Sequence, residues 1–146
     1  MEEHNPEPGT EINPKRPVLL TILCILTFIG SGLNFVSSFL ITVFFNTFQS
    51  VAGEISKAFN LPAMDMILNA RPDYFLVSSL IYACSAFGAL EMWKLHKRGF
   101  HLYTVSQLLL IMMPMYFFQL PAPSLPDLLF SGIFIILYSV NLKYLS

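Results

Sequence analysis

Charge is what this chain is short of. Lys, Arg, Asp and Glu make up 12% of its 146 residues, about half the roughly 25% of an ordinary soluble domain. The charges nearly cancel, to a net of -1 at neutral pH, so the basic surface that attracts nucleic acid is missing and nucleic acid is excluded as a partner. Cysteine is scarce as well. Cys24 and Cys84 are the only two, and both fall inside apolar stretches, where a thiol behaves as a small hydrophobe. Neither a zinc site nor a disulfide framework is expected. Both sulfurs are expected about 12 Å from the same membrane edge at 1.5 Å per residue, a depth at which they would meet only if their helices face one another.

Arrangements that carry chemistry are missing too. No nucleophile, base and orienting group stand together, and no Gly-rich loop follows a strand; Gly30-Ser31-Gly32 reads as a packing signal. His96 and His101 are five apart, which is not the spacing of a shared metal-binding face. Met112, Met113 and Met115 beside Pro114 read as gap-filling around a kink. The sequence therefore predicts no catalytic residue, no cofactor and no metal.

What the chain has instead is length of apolar sequence. It is 55% hydrophobic, with a mean hydropathy of +0.63, and four long apolar stretches occupy Pro17 to Leu142. Each is able to cross a hydrocarbon layer roughly 30 Å thick at 1.5 Å per helical residue. The expected fold is all-α and integral to the membrane, a single domain over residues 17–146 with four transmembrane helices in a bundle. The helices are placed at about 17–45, 73–93, 100–120 and 125–142. Residues 1–16, rich in Glu and Pro, are expected to form a disordered cytoplasmic tail. A cleaved signal peptide fits poorly, because the first apolar run is about twice the 7 to 15 residues of a signal core and has no small-x-small site after it.

An unbroken first helix would be about 43 Å long and must tilt, kink or protrude. Between helices one and two, residues 46–72 read as an external amphipathic segment. Phe48, Val51, Ala52, Ile55 and Phe59 recur at helical spacing, and a short second helix from Pro62 ends at Arg71-Pro72. Ser124 is placed as the N-cap of the last helix.

Threading follows the cations. Lys15 and Arg16, then Lys94, Lys97 and Arg98, then Lys143 fall at one set of helix ends, whereas only Lys57 and Arg71, alongside Glu54, Asp65, Asp73 and Asp127, fall at the other, so both termini are expected in the cytoplasm. Tyr74, Trp93, Tyr103, Tyr116 and Tyr144 are assigned to the two interfacial aromatic belts.

Five uncharged polar residues are the candidate interhelical contacts: Thr27, Ser31, Asn34, Ser85 and Gln107. Thr27, Ser31, Asn34 and Ser38 follow steps of 4, 3 and 4, so they share one face of helix one, assigned to the bundle interior. Gln107 is the most costly residue in any span, and depth matches it with Thr27 and Ser85. Glu91, near an interface, is paired with Lys94 three residues on.

Lys15-Arg16-Pro17-Val-Leu-Leu-Thr and the stretch Ile25 to Gly32, with Met92-Trp93-Lys94-Leu95, Gly99-Phe100 and Asn141-Leu142-Lys143-Tyr144, resemble a family of small, uncharacterised four-helix bacterial inner-membrane proteins. The resemblance spans most of residues 15 to 146. It implies a multi-pass protein of the bacterial inner (plasma) membrane and carries over no site residue. The residues themselves favour a non-enzymatic interaction or accessory protein. Its small-residue faces, such as Ser79/Ala83, Cys84/Gly88 and Ser85/Ala89, would pack against a second copy or another membrane protein, with the lipid bilayer as the surrounding partner. The alternative is a small transporter or channel subunit whose uncharged polar path follows Thr27, Ser31, Asn34, Ser85 and Gln107.

Overall fold

The computed structural model describes residues 17–145. The expected disordered tail, residues 1–16, lies outside the described residues. Among the described residues the fold is all-helical: α1 Val18–Val43, α2 Phe45–Phe59, α3 Pro62–Leu68, α4 Pro72–Trp93, α5 Lys97–Phe118, α6 Leu125–Val140 and a closing 3-10 turn, Leu142–Tyr144.

Three of these, α1, α4 and α5, are long and apolar enough to cross a membrane. Their outward surfaces remain greasy. Ile29, Leu33, Leu80, Phe87, Leu108 and Met112 are all exposed, which suits hydrocarbon and would be untenable over so large a contiguous area in water. α6 is apolar but shorter, 16 residues, about 24 Å at 1.5 Å per residue.

The first helix is shorter than the sequence reading placed it. Instead of running to residue 45, α1 ends at Val43, and Phe44 (φ -107°, ψ 35°) leaves helical geometry before α2 begins. At 26 residues α1 is about 39 Å long. Its N-terminus is Pro17, whose missing N–H costs nothing in a first turn. Further corrections are small: α5 starts at Lys97, not Phe100, and α6 ends at Val140. Pro114 sits inside α5, which continues to Phe118.

The α2–α3 hairpin follows the amphipathic reading. Gln49 donates to the Leu68 carbonyl (3.0 Å) and Ser56 to the Asp65 carboxylate (3.1 Å), fastening α2 to α3. Phe45 and Phe48 meet Phe75 at the start of α4. Further along, Val51, Ile55 and Phe59 are exposed, as an interface-lying apolar face would be.

α4 is the central element, with α1 and α5 packed along it, and α6 leans on α5 and α1 over shorter lengths. The closest approach is between α4 and α5. A Cβ added to Gly88 would stand 2.8 Å from the Tyr103 backbone nitrogen, and one added to Gly99 would stand 2.6 Å from that of Met92. Only glycine permits backbones this near. The tightest core is gathered at this end, where Leu20, Leu23 and Cys24 of α1 meet Met92, Tyr103, Tyr138 and Leu145. Cys84 is exposed, whereas Cys24 is buried, and neither forms a disulfide. Equal depth does not bring them together, because Cys84 occupies the outward side of α4.

Candidate functional site: a polar cleft between the helices

Adjoining that core, with Tyr103 common to both, the helices part and enclose about 380 Å³ of space, partly open and lined from all four of α1, α4, α5 and α6. Pockets that take small molecules measure roughly 300–1,000 Å³. The rim includes exposed Leu26, Gly30 and Asn34 on α1 and exposed Asp127 and Phe130 on α6, which sets the opening between those two helices.

Helical spacing supplies the lining. On α6 Asp127, Ser131, Phe134 and Tyr138 follow steps of 4, 3 and 4, the rhythm of Thr27, Ser31, Asn34 and Ser38 on α1. Tyr74, Ser78 and Tyr82 recur every fourth residue on α4, and Tyr103 and Gln107 do so on α5. The Asp127, Ser131 and Phe134 side chains, with Tyr74, Ser78 and Tyr82 opposite, line the cleft.

A chain of hydrogen bonds runs through this lining, with Ser31, Gln107 and Ser131 facing the cleft and Ser85 behind them. Ser131 donates to the Gln107 amide oxygen (3.0 Å), the Gln107 amide nitrogen donates to the Ser85 hydroxyl (3.1 Å), and Ser85 shares a hydrogen bond with Ser31 (3.0 Å). One glutamine thus links α6 to α4, and Ser85 carries the link to α1. Both polar ends of the Gln107 side chain are satisfied, which removes the desolvation cost of a bare amide in apolar surroundings. Each such interhelical bond in lipid is worth about 0.6–1.7 kcal/mol.

The expected pairing of Gln107 with Ser85 is present. Thr27 is placed otherwise: its hydroxyl is 2.8 Å from the Tyr138 hydroxyl, and it is Ser31, one turn further along α1, that joins the Gln107 chain through Ser85. Asn34 also departs from expectation. It is exposed and donates to the Gly30 carbonyl of its own helix (2.8 Å), so of its stripe Thr27, Ser31 and Ser38 are buried and Asn34 belongs to the cleft rim. Tyr103 is no belt residue; it is 3% exposed, with its ring edge-on to Tyr138 at 4.9 Å. Gly88 on α4, whose added Cβ would stand 2.8 Å from the Tyr103 nitrogen, lets the Tyr103 backbone come close enough to α4 for the ring to be enclosed. Tyr116, 81% exposed, matches a belt position.

Glu91 lies 3.8 Å from Lys94, as its spacing predicts, and His96 adds a closer contact, Nδ1 to the other carboxylate oxygen at 3.1 Å. This is an end-of-helix cluster remote from the cleft. Ser124 does occupy the N-cap of α6, and its carbonyl accepts from the Leu128 N–H (3.1 Å), but its side chain makes no bond to the helix backbone; its hydroxyl donates to the Asp127 carboxylate. Among the described residues no group of three or more His, Cys, Asp or Glu could hold a metal ion.

Sequence reasoning missed Ser131, Tyr138, Tyr82 and Asp127 as site residues, and it assigned Tyr74, which lines the cleft, to an aromatic belt. For Asp127, Ser131 and Tyr138 the signal was available in the steps of 4, 3 and 4 along α6, which the high apolar content of that helix overshadowed; Tyr74 and Tyr82 lie on α4. No family model, curated protein or solved structure matches this chain.

Proposed function

We infer that the chain is a non-enzymatic membrane protein that crosses the bilayer four times and takes a small molecule into the cleft between α1 and α6. In this reading α6 is the fourth crossing of a bundle. Ser124 and Asp127 lie at its outer end and Lys143 at its inner end, and local thinning or snorkelling by Lys143 accommodates its short span. Both termini lie in the cytoplasm, as the positive-inside count requires. Resemblance to small bacterial proteins supports the inner membrane as its location.

The observation that carries this reading is the cleft itself. Thr27, Ser31, Asn34 and Gln107, four of the five residues of the uncharged polar path, line the same 380 Å³. Its opening between two lipid-exposed helix faces favours a ligand that partitions into the bilayer or reaches it from the outer interface.

The accessory reading has its own support. Gly30, Gly32 and Gly132 have nothing within 4 Å of an added Cβ, so α1 and α6 each offer a place where a neighbouring helix would approach closely. By contrast Ser79, Ser85, Gly88 and Ala89 are buried within the chain, which leaves fewer small residues for a partner than the sequence alone offers.

Single cysteines at Asn34 and Gln107, in a background with Cys24 and Cys84 replaced by Ala, test the cleft. Reaction of both with a water-soluble maleimide, with lipid-facing Leu108→Cys inert, supports it. If neither reacts, no water-reachable cleft exists and the packing reading takes its place.

A further inference from the structure

The charge of the lining narrows the class of ligand. Among the described residues that line the cleft, Asp127 is the one acidic side chain and none is basic. A single sign of charge at a cleft with low-dielectric walls focuses its field on whatever enters. The Ser124 hydroxyl donates to Oδ2 of Asp127 and so holds the carboxylate in place. Aromatic surface lies beside it: Tyr74, Tyr82, Phe130 and Phe134 also line the space, and Tyr74 is itself wedged edge-on against Phe117 and Phe118, with ring centroids 5.4 and 5.1 Å apart. Rings with electron-rich faces near one carboxylate at the rim, in a site otherwise furnished with hydroxyls and amides, suit an organic cation. An anion would meet the carboxylate with no cation to offset it. A metal ion would find one carboxylate and no further charged ligand.

On the strength of the cleft reading above, we propose that the occupant is an organic ammonium, bound with its cationic nitrogen between Asp127 and the aromatic rings. Two sources share that chemistry: a free ammonium compound and the headgroup of an ammonium-bearing lipid. The lateral opening past Leu26 and Phe130 suits either.

The test uses the full chain in a non-ionic maltoside detergent, with choline as the probe and 3,3-dimethylbutan-1-ol, its uncharged isostere, as the control. Binding is followed by calorimetric titration. The proposal expects choline to bind about tenfold more tightly than the isostere. Asp127→Asn should abolish that preference while leaving thermal stability unchanged, and Tyr82→Leu should weaken choline more than Tyr82→Phe does. Displacement of choline by phosphatidylcholine, but not by phosphatidylglycerol, would assign the nitrogen to a lipid headgroup; displacement by neither would assign it to a soluble compound. Equal binding of choline and isostere, unaltered by Asp127→Asn, overturns the cationic class and leaves the cleft intact. Binding of neither, with Asn34→Cys still reactive to maleimide, overturns this proposal alone; binding of neither with that cysteine inert overturns the cleft reading with it.

Discussion

Thr27 and Tyr138 are 111 residues apart in the chain, and their hydroxyls are 2.8 Å apart in space. That bond ties the first helix to the last within the tightest part of the molecule, where Tyr138 is fully buried and its ring meets Tyr103 edge-on. Tyr138→Phe keeps the ring and removes the bond, so it should cost about 1 kcal/mol. Tyr138→Ala empties the site and should cost several times more. Thermal unfolding in detergent separates the two, and Thr27→Val combined with Tyr138→Phe should cost less than the sum of the single changes.

Gln107 makes a second, independent stitch. Gln107→Leu breaks the bonds to Ser85 and Ser131 together, and the expected loss is about 1–2 kcal/mol, since serines left behind on helices find carbonyls one turn back. Ser131→Ala should remove roughly half of that. A double-mutant cycle by thermal unfolding would reveal the coupling, and strict additivity of the two changes would show that this bond contributes nothing.

The α4–α5 contact has no room for a side chain. Gly99→Ala would force a methyl against backbone atoms of Gly88 and Met92, and overpacking of this kind costs about 1–3 kcal/mol. Gly30→Ala is the matched control, with nothing within 4 Å of the added carbon and a helical backbone that gains about 0.5–1 kcal/mol from losing a glycine. The two substitutions should therefore shift the unfolding temperature in opposite directions.

Glu91 should matter little by comparison. Its partners Lys94 and His96 are more than half exposed, and exposed pairs contribute about 0–1 kcal/mol. Glu91→Gln should leave unfolding nearly unchanged, and whatever effect it has should shrink as salt is raised.

How much of this was legible in the sequence differs between helices. On α1 the polar stripe was plain because Thr27, Ser31 and Ser38 interrupt an apolar run at helical intervals, and Gln107 was matched to Ser85 by depth alone. The partners on α6 were hidden because tyrosine and serine blend into an apolar helix when read one residue at a time. Tyr103 lies near a helix end, where a belt position and a buried one have the same sequence depth; the close Gly88–Gly99 approach decides between them, and that is a property of two helices together. The cleft was beyond reach for a similar reason, since its volume depends on how far α6 leans away from α1. Asp127 was legible only as a charge outside the membrane.

The cleft is a site within the bilayer only if α6 crosses, so the position of its two ends is the direct measurement. Single cysteines at Ser124 and at Tyr144, which is 48% exposed, in the background lacking Cys24 and Cys84, are treated in intact cells with a membrane-impermeant maleimide. The account predicts that residue 124 reacts from outside and residue 144 reacts only after the membrane is opened. Reaction of both from the same side would mean that α6 lies on the membrane without crossing it, and the four-span protein with its lateral cleft would be wrong.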